Sequence, residues 1–132
     1  MKKQVDAWYH FADKDILAAS ELLEHPDLTN VAAFLCQQAV EKYLKAFMAA
    51  NGVPIVKIHN LVRLNAGIKD INDFGFDEDL LHTLSQLYTD DRYPGSIGLL
   101  PNGEPSREQT RELYQFAKDV ENKIKEAISR MP

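Results

Sequence analysis

Successive stretches of this chain repeat apolar residues at steps of three and four, and helix-breaking signals separate them. From Val5 to Leu23 the stripe is Val5, Trp8, Ala12, Ile16, Ala19 and Leu23. His25-Pro26 ends it, because proline lacks the helical donor and pushes its predecessor out of the α region. Asp27, Thr29 and Asn30 offer N-cap candidates for a second helix, whose stripe is Ala32, Cys36, Ala39, Tyr43, Phe47 and Ala50 and whose stop is Asn51-Gly52. The β-branched run from Val53 to Ile58 has no partner strand and reads as a packed loop. A shorter helix is expected around Leu61, Leu64 and Ile68, ending in the turn-prone Asp70–Gly75. Asp77 can then cap a helix bearing Leu80, Leu81, Leu84, Leu87 and Tyr88. Residues 89–105 hold three prolines and three glycines and form a long irregular connection. Ser106 and Gln109 make a capping-box pattern before a last helix carrying Leu113, Ala117, Val120, Ile124 and Ala127. No alternating strand pattern competes. The expectation is one all-α domain over residues 1–132, an up-and-down bundle of four to five helices.

Composition narrows the function. The chain has 132 residues, enough for one core without staples, and 45% apolar with 27% charged residues is ordinary for a globular protein. A net charge of −5 argues against wrapping duplex DNA, which needs a broadly basic surface. The charge is unevenly spread: residues 76–92 carry −4, and residues 26–58, with +1, are the one net-basic section. One cysteine, Cys36, allows neither an internal disulfide nor a thiolate metal site. With no signal peptide or membrane-length apolar run, the expected location is the cytoplasm. The phosphate-loop, dinucleotide, zinc-protease, nucleophile-elbow and EF-hand motifs are absent, so neither metal nor cofactor is expected.

Three groups of residues could carry chemistry. Gln38, Glu41, Lys42 and Lys45 lie at i, i+3, i+4 and i+7 on the second helix, a polar stripe able to meet a phosphate or a base edge. The plainer reading is a solvated face with a Glu41–Lys45 pair. His59, at the start of the third helix, is the best acid–base candidate because imidazole titrates nearest neutrality; the plainer reading is a structural, hydrogen-bonded histidine. His10, His25 and His82 have no neighbouring constellation. In Asp90-Asp91-Arg92-Tyr93-Pro94, Arg92 offers a planar fork to phosphate or carboxylate and Tyr93 a stacking face. Alternatively Arg92 neutralises Asp90 or Asp91 and Tyr93 packs on the bundle.

The segment from Ala12 to Leu23, the run Ala33-Phe34-Leu35-Cys36-Gln37-Gln38-Ala39-Val40-Glu41-Lys42-Tyr43-Leu44-Lys45-Ala46, then His59-Asn60-Leu61 and Asp91-Arg92-Tyr93-Pro94, resemble the HEPN domain family in order and across nearly the whole chain. The resemblance implies a bundle of about five helices. It also implies a homodimer, and a nucleotide- or RNA-associated module encoded beside a minimal nucleotidyltransferase, related to toxin–antitoxin systems. Many members are metal-independent ribonucleases with a histidine a few residues downstream of an arginine. Here the only histidine downstream of any arginine is His82, far from Arg63 in sequence. The resemblance therefore implies the branch that binds nucleotides or a partner. Carried over residue by residue, Gln38, Glu41, Lys42 and Lys45 match the family's polar helix, His59 its histidine, and Arg92 with Tyr93 its R-Y-P turn. In this reading Lys42, Lys45 and Arg92 hold phosphates, Tyr93 stacks on a base and Gln38 hydrogen-bonds it. Two alternatives stand beside it: a metal-independent ribonuclease or toxin with His59 and Arg92 as rearranged catalytic residues, and a purely structural dimerisation module.

Overall fold

A computed structural model describes residues 2–88, 99–101 and 103–132. Among these are five helices: α1 Lys2–Leu22, α2 Thr29–Ala50, α3 Leu61–Ile68, α4 Glu78–Gln86 and α5 Arg107–Ser129. The apolar stripes read from sequence are the buried faces. Val5, Ala12, Ile16 and Ala19 are the buried positions of α1, and Leu113, Ala117, Val120 and Ile124 line the core side of α5.

Helix α2 is the axis of the molecule, with 16 of its 22 residues buried. A helix apolar on most of its circumference has to be surrounded, and α1, α3, α4 and α5 all pack on it. Small residues on the facing sides, Ala12 and Ala19 on α1 with Ala32, Ala39 and Cys36 on α2, let the backbones approach closely. Helices α1 and α2 are antiparallel. Val5, Ala49 and Ala50 cluster with Ile128 at one end of the bundle, while Arg111 of α5 grips Glu24 just past α1 at the other, so α5 runs antiparallel to α1.

The short helices α3 and α4 form an antiparallel hairpin. The α3 amide of Leu61 donates to Ser85 Oγ near the end of α4 at 2.8 Å, and Lys69 just past α3 reaches Glu78 at the start of α4. The connection between them is pinned by aromatic rings. Phe47 meets Phe74 edge-on at 5.1 Å, Phe74 stacks on Phe76 at 5.0 Å, and Phe76 meets Phe116 of α5 edge-on at 6.2 Å.

The caps show how local signals set the helix ends. Asn60 accepts from Arg63 N–H, Asp77 from Asp79 and Leu80 N–H, and Ser106 from Gln109 N–H. Helix α2 differs from expectation: its N-cap is Leu28, with no side-chain cap hydrogen bond, so none of the polar candidates performs that role. The segment Val53–Ile58 contains no strand; Val53 and Ile58 pack on the core while Ile55 and Val56 are exposed. In the described part of the long connection, Leu100 and Gly103 exchange backbone hydrogen bonds of 2.8 and 2.9 Å, and Gly103 has a φ of 113°, open to glycine at little cost.

Candidate functional site: the His59 cleft

The polar stripe of α2 divides in two once the helix is packed. Lys42 turns toward α1 and pairs with Asp15. Glu41 and Lys45 pair with each other instead and are almost wholly buried, at 6% and 5% exposure. Burying a carboxylate is costly unless its lone pairs are filled. Here they are: Gln37 Nε2 donates to Glu41 Oε1 at 3.0 Å, Lys45 Nζ to Oε2 at 3.0 Å, and His59 Nδ1 lies 3.0 and 3.1 Å from the two oxygens. Gln38 Nε2 donates to Gln37 Oε1 at 2.6 Å, extending the chain of hydrogen bonds one residue outward. The Lys45 ammonium also lies 5.9 Å from the centre of the Trp8 ring on α1.

His59 is thus the outer member of a buried network. It sits just before the Asn60 cap of α3, and its ring lies 3.9 Å from that of Tyr88, which in turn stacks on Phe34 at 6.0 Å. An ionised carboxylate only accepts, so Nδ1 carries the proton shared with Glu41, and Nε2 is left as the working nitrogen of the ring. Among the described residues Nε2 has no hydrogen-bond partner. Glu41 fixes the ring's orientation in the way a second carboxylate orients many functional histidines.

In front of His59 is a cleft of about 450 Å³, within the range of small-ligand sites. Its lining includes Lys57, His59, Asn60, Arg63, His82 and Tyr88. The α3–α4 hairpin assembles it: the start of α3 supplies Asn60 and Arg63, and α4 with the residues just past it supplies His82 and Tyr88. Lys57 and Arg63 are exposed, and neither has an ion-pair partner among the described residues. The positive end of α3 also opens here, although its Leu61 and Arg63 amides are already taken by Ser85 and Asn60. Its side chains make the cleft a place for an anion, with an aromatic wall at Tyr88.

Of the residues expected from sequence, the fold joins Gln38, Glu41, Lys45 and His59 in one network and sends Lys42 to a separate pair. Only His59 among them lines the cleft. Arg92 and Tyr93 lie outside the described residues. Sequence reasoning missed Lys57, Arg63, His82 and Tyr88. The signal was present: two short helices joined by a short connection form a hairpin, which brings the beginning of the first beside the end of the second. Arg63 and His82, distant in sequence, meet at one cleft for that reason.

A second polar cluster lies between α1, α2 and α5. Tyr43 donates to Asp13 Oδ1 at 2.5 Å, Lys125 donates to Asp13 and Glu121 at 2.8 Å each, and Lys118 donates to Glu121 at 2.8 Å. Burial pushes the Tyr43 phenol above its usual value, as does its bond to Asp13. Burial raises Glu121, but the hydrogen bonds from Lys118 and Lys125 outweigh it and hold the carboxyl below the usual range. With every charge paired and the phenol buried, this cluster ties helices together. Cys36, buried in the core, has its thiol pushed up to about 12 by burial, so it is no nucleophile at neutral pH. Among the described residues no group of three or more histidine, cysteine or acidic side chains could hold a metal ion, and no helix is long and apolar enough to cross a membrane.

Comparison with known proteins adds a family to this geometry. Curated proteins give no match. Among solved structures, an archaeal HEPN homologue superposes with a TM-score of 0.71 at 22% identity, over 94% of this chain and 97% of that one, a likeness of fold. The family model described as HEPN domain matches residues 5–127, the whole span from the first buried residue of α1 to the last turns of α5. The chain belongs to the HEPN domain family.

Proposed function

We propose that this protein is a nucleotide- or RNA-binding accessory domain, and that the His59 cleft holds the phosphate of its ligand. The observation that carries this reading is the convergence of Lys57, Arg63, His59 and His82 beside the Tyr88 ring in a cleft of ligand size. Cationic forks and ammonium groups recognise phosphate, and a half-buried aromatic ring in the wall of the cleft suits a base. In this reading Glu41 and Lys45 support His59 from behind and Gln38 extends that network, while Lys42 is taken by Asp15; Arg92 and Tyr93 are assigned from sequence to a phosphate and a base of the same ligand. Family membership supports a homodimer working in the cytoplasm with a minimal nucleotidyltransferase partner. Light scattering of the purified chain, alone and mixed with such a partner, tests the assembly.

Thermal unfolding with a panel of nucleotides and short single-stranded RNAs tests the site. A ligand at ~10 times its dissociation constant adds roughly 1.4 kcal/mol, worth several degrees at this size. A shift seen in the wild type and lost in Arg63→Ala supports the cleft. The same shift lost in Arg92→Ala brings the R-Y-P turn into it. A purely structural module gives no shift with any ligand.

A second reading is favoured by one observation, the Glu41–His59 pair in the cleft that also holds Arg63. An oriented imidazole beside a guanidinium can act as general acid–base on a phosphodiester. Cleavage of RNA in EDTA, abolished by His59→Ala, would establish metal-independent ribonuclease activity.

A further inference from the structure

The cleft's cations are few, close together and set in an acidic protein. The chain carries −5 overall, and most other cations on the bundle are spent on internal pairs: Lys42 on Asp15, Lys69 on Glu78, Lys123 on Asp119, Arg130 on Glu126. A protein that tracks a strand needs a groove of positive charge along several phosphates. Among the described residues the cleft's lining carries two permanent cations, Lys57 and Arg63, which make a point of charge and not a groove. The cleft itself holds one local knot of charge: the permanent cations Lys57 and Arg63, with the imidazoles of His59 and His82 beside them. Two permanent positive charges match a phosphomonoester, which carries about −1.5 to −2 near neutrality, better than a diester with one negative charge. His59 suits the same group in its imidazolium form, in which Nδ1–H stays on Glu41 and Nε2–H donates to a phosphate oxygen.

We propose that the His59 cleft is a phosphomonoester site, taking a nucleoside monophosphate or the phosphorylated end of an RNA rather than the internal phosphates of a strand. This rests on the reading that the cleft is the ligand site and narrows it to one class of phosphate. Lys57 and Arg63 neutralise the dianion, His59 and His82 hydrogen-bond its oxygens, and the chain's net charge of −5 opposes the approach of a longer polyanion. Glu41 acts as a positioning residue, touching His59 and not the ligand.

The test is calorimetric titration of the full chain with AMP, adenosine, and one short single-stranded RNA made with a 5′-phosphate, a 3′-phosphate or hydroxyl ends. AMP and a phosphate-ended RNA are expected to bind roughly tenfold or more tighter than adenosine and the hydroxyl-ended RNA. Lys57→Gln with Arg63→Gln, both at exposed positions, is expected to erase that difference without changing Tm in the absence of ligand. Equal affinity for phosphate-ended and hydroxyl-ended RNA overturns the phosphomonoester site while leaving nucleic-acid binding in place. A preference that survives the double variant also overturns it, since the phosphate is then held elsewhere. No binding of any nucleotide or RNA overturns both this inference and the function proposed above.

Discussion

Two tyrosines separated by one helix crossing show how a single hydroxyl changes sign with its surroundings. The rings of Tyr9 and Tyr43 lie 6.3 Å apart, and Lys125 sits over both. Tyr43 OH donates to Asp13, whereas Tyr9 OH is buried with no hydrogen-bond partner among the described residues. Removing a bonded buried hydroxyl loses the bond and leaves Asp13 short of a donor, so Tyr43→Phe is expected to cost about 1–2 kcal/mol in urea denaturation. Tyr9→Phe removes only an unsatisfied group and is expected to be neutral or stabilising by up to about 1 kcal/mol. Glu41 is the opposite extreme, a buried charge whose partners depend on it. Glu41→Ala leaves Lys45 buried without its counter-ion and is expected to cost about 3 kcal/mol, while Glu41→Leu with Lys45→Met is expected to recover most of that, because the desolvation penalty disappears with both charges. Glu121 sets a pH dependence. Its folded value is held below the ordinary carboxylate range, so its contribution is full above that range and is lost as pH falls through the lowered value. The Tm difference between the wild type and Glu121→Gln is therefore expected to be constant near neutrality and to shrink on acidification below about pH 4. A difference that grows on acidification would mean that burial, and not the two lysines, governs this carboxyl.

Helix ends in this protein are set by different means, and the energetic consequences differ accordingly. Helix α4 has only nine residues, too short to persist without its cap and its packing. Asp77→Ala removes the one oxygen that accepts from two amides and is expected to cost about 1 kcal/mol, read as a lower Tm and as faster amide exchange confined to α4 and the α3 end it touches. Asp27→Ala, before a helix whose N-cap is Leu28, is expected to change Tm by less than the scatter of surface substitutions, about 0.5 kcal/mol. The contrast explains what could be read from sequence at this scale. Stripes and stops are local: Pro26, Asn51-Gly52, Asp77 and Ser106 act within a turn of themselves, and each falls beside an observed helix end. Cap identity at α2 was not legible, because three polar residues there compete and backbone geometry at Leu28 decides among them. The direction a polar stripe faces was not legible either. Glu41 and Lys42 are adjacent on one helix, yet one is buried under α3's entry loop and the other pairs across to α1, and only the placement of the surrounding helices separates them.

At the scale of the molecule, the site depends on topology more than on any motif. Helix α2 carries the buried acid, the loop after it carries Lys57 and His59, and the α3–α4 hairpin carries Arg63, His82 and Tyr88, so the cleft exists only when the hairpin is folded back on α2. Sequence distance hid this. Arg63 has no histidine a few residues downstream in sequence, yet the fold puts His59, just before it, and His82, from the far arm of the hairpin, on the same cleft. The same arrangement fixes how binding responds to salt. A protein that lies along several phosphates releases a counterion at each, and for single strands log K falls with log salt at a slope of about −0.7 per phosphate neutralised. Two permanent cations at one notch of a chain with net charge −5 cannot neutralise many phosphates. The slope for a short single-stranded RNA is therefore expected to be about −1 to −1.5, nearly independent of strand length, and to fall toward zero in the Lys57→Gln, Arg63→Gln variant. Fluorescence anisotropy between low and moderate salt measures it. A slope of about −4 that steepens as the RNA is lengthened would require roughly six phosphate contacts, and would place the binding surface along an extended face of the assembled protein instead of in the cleft between α3 and α4.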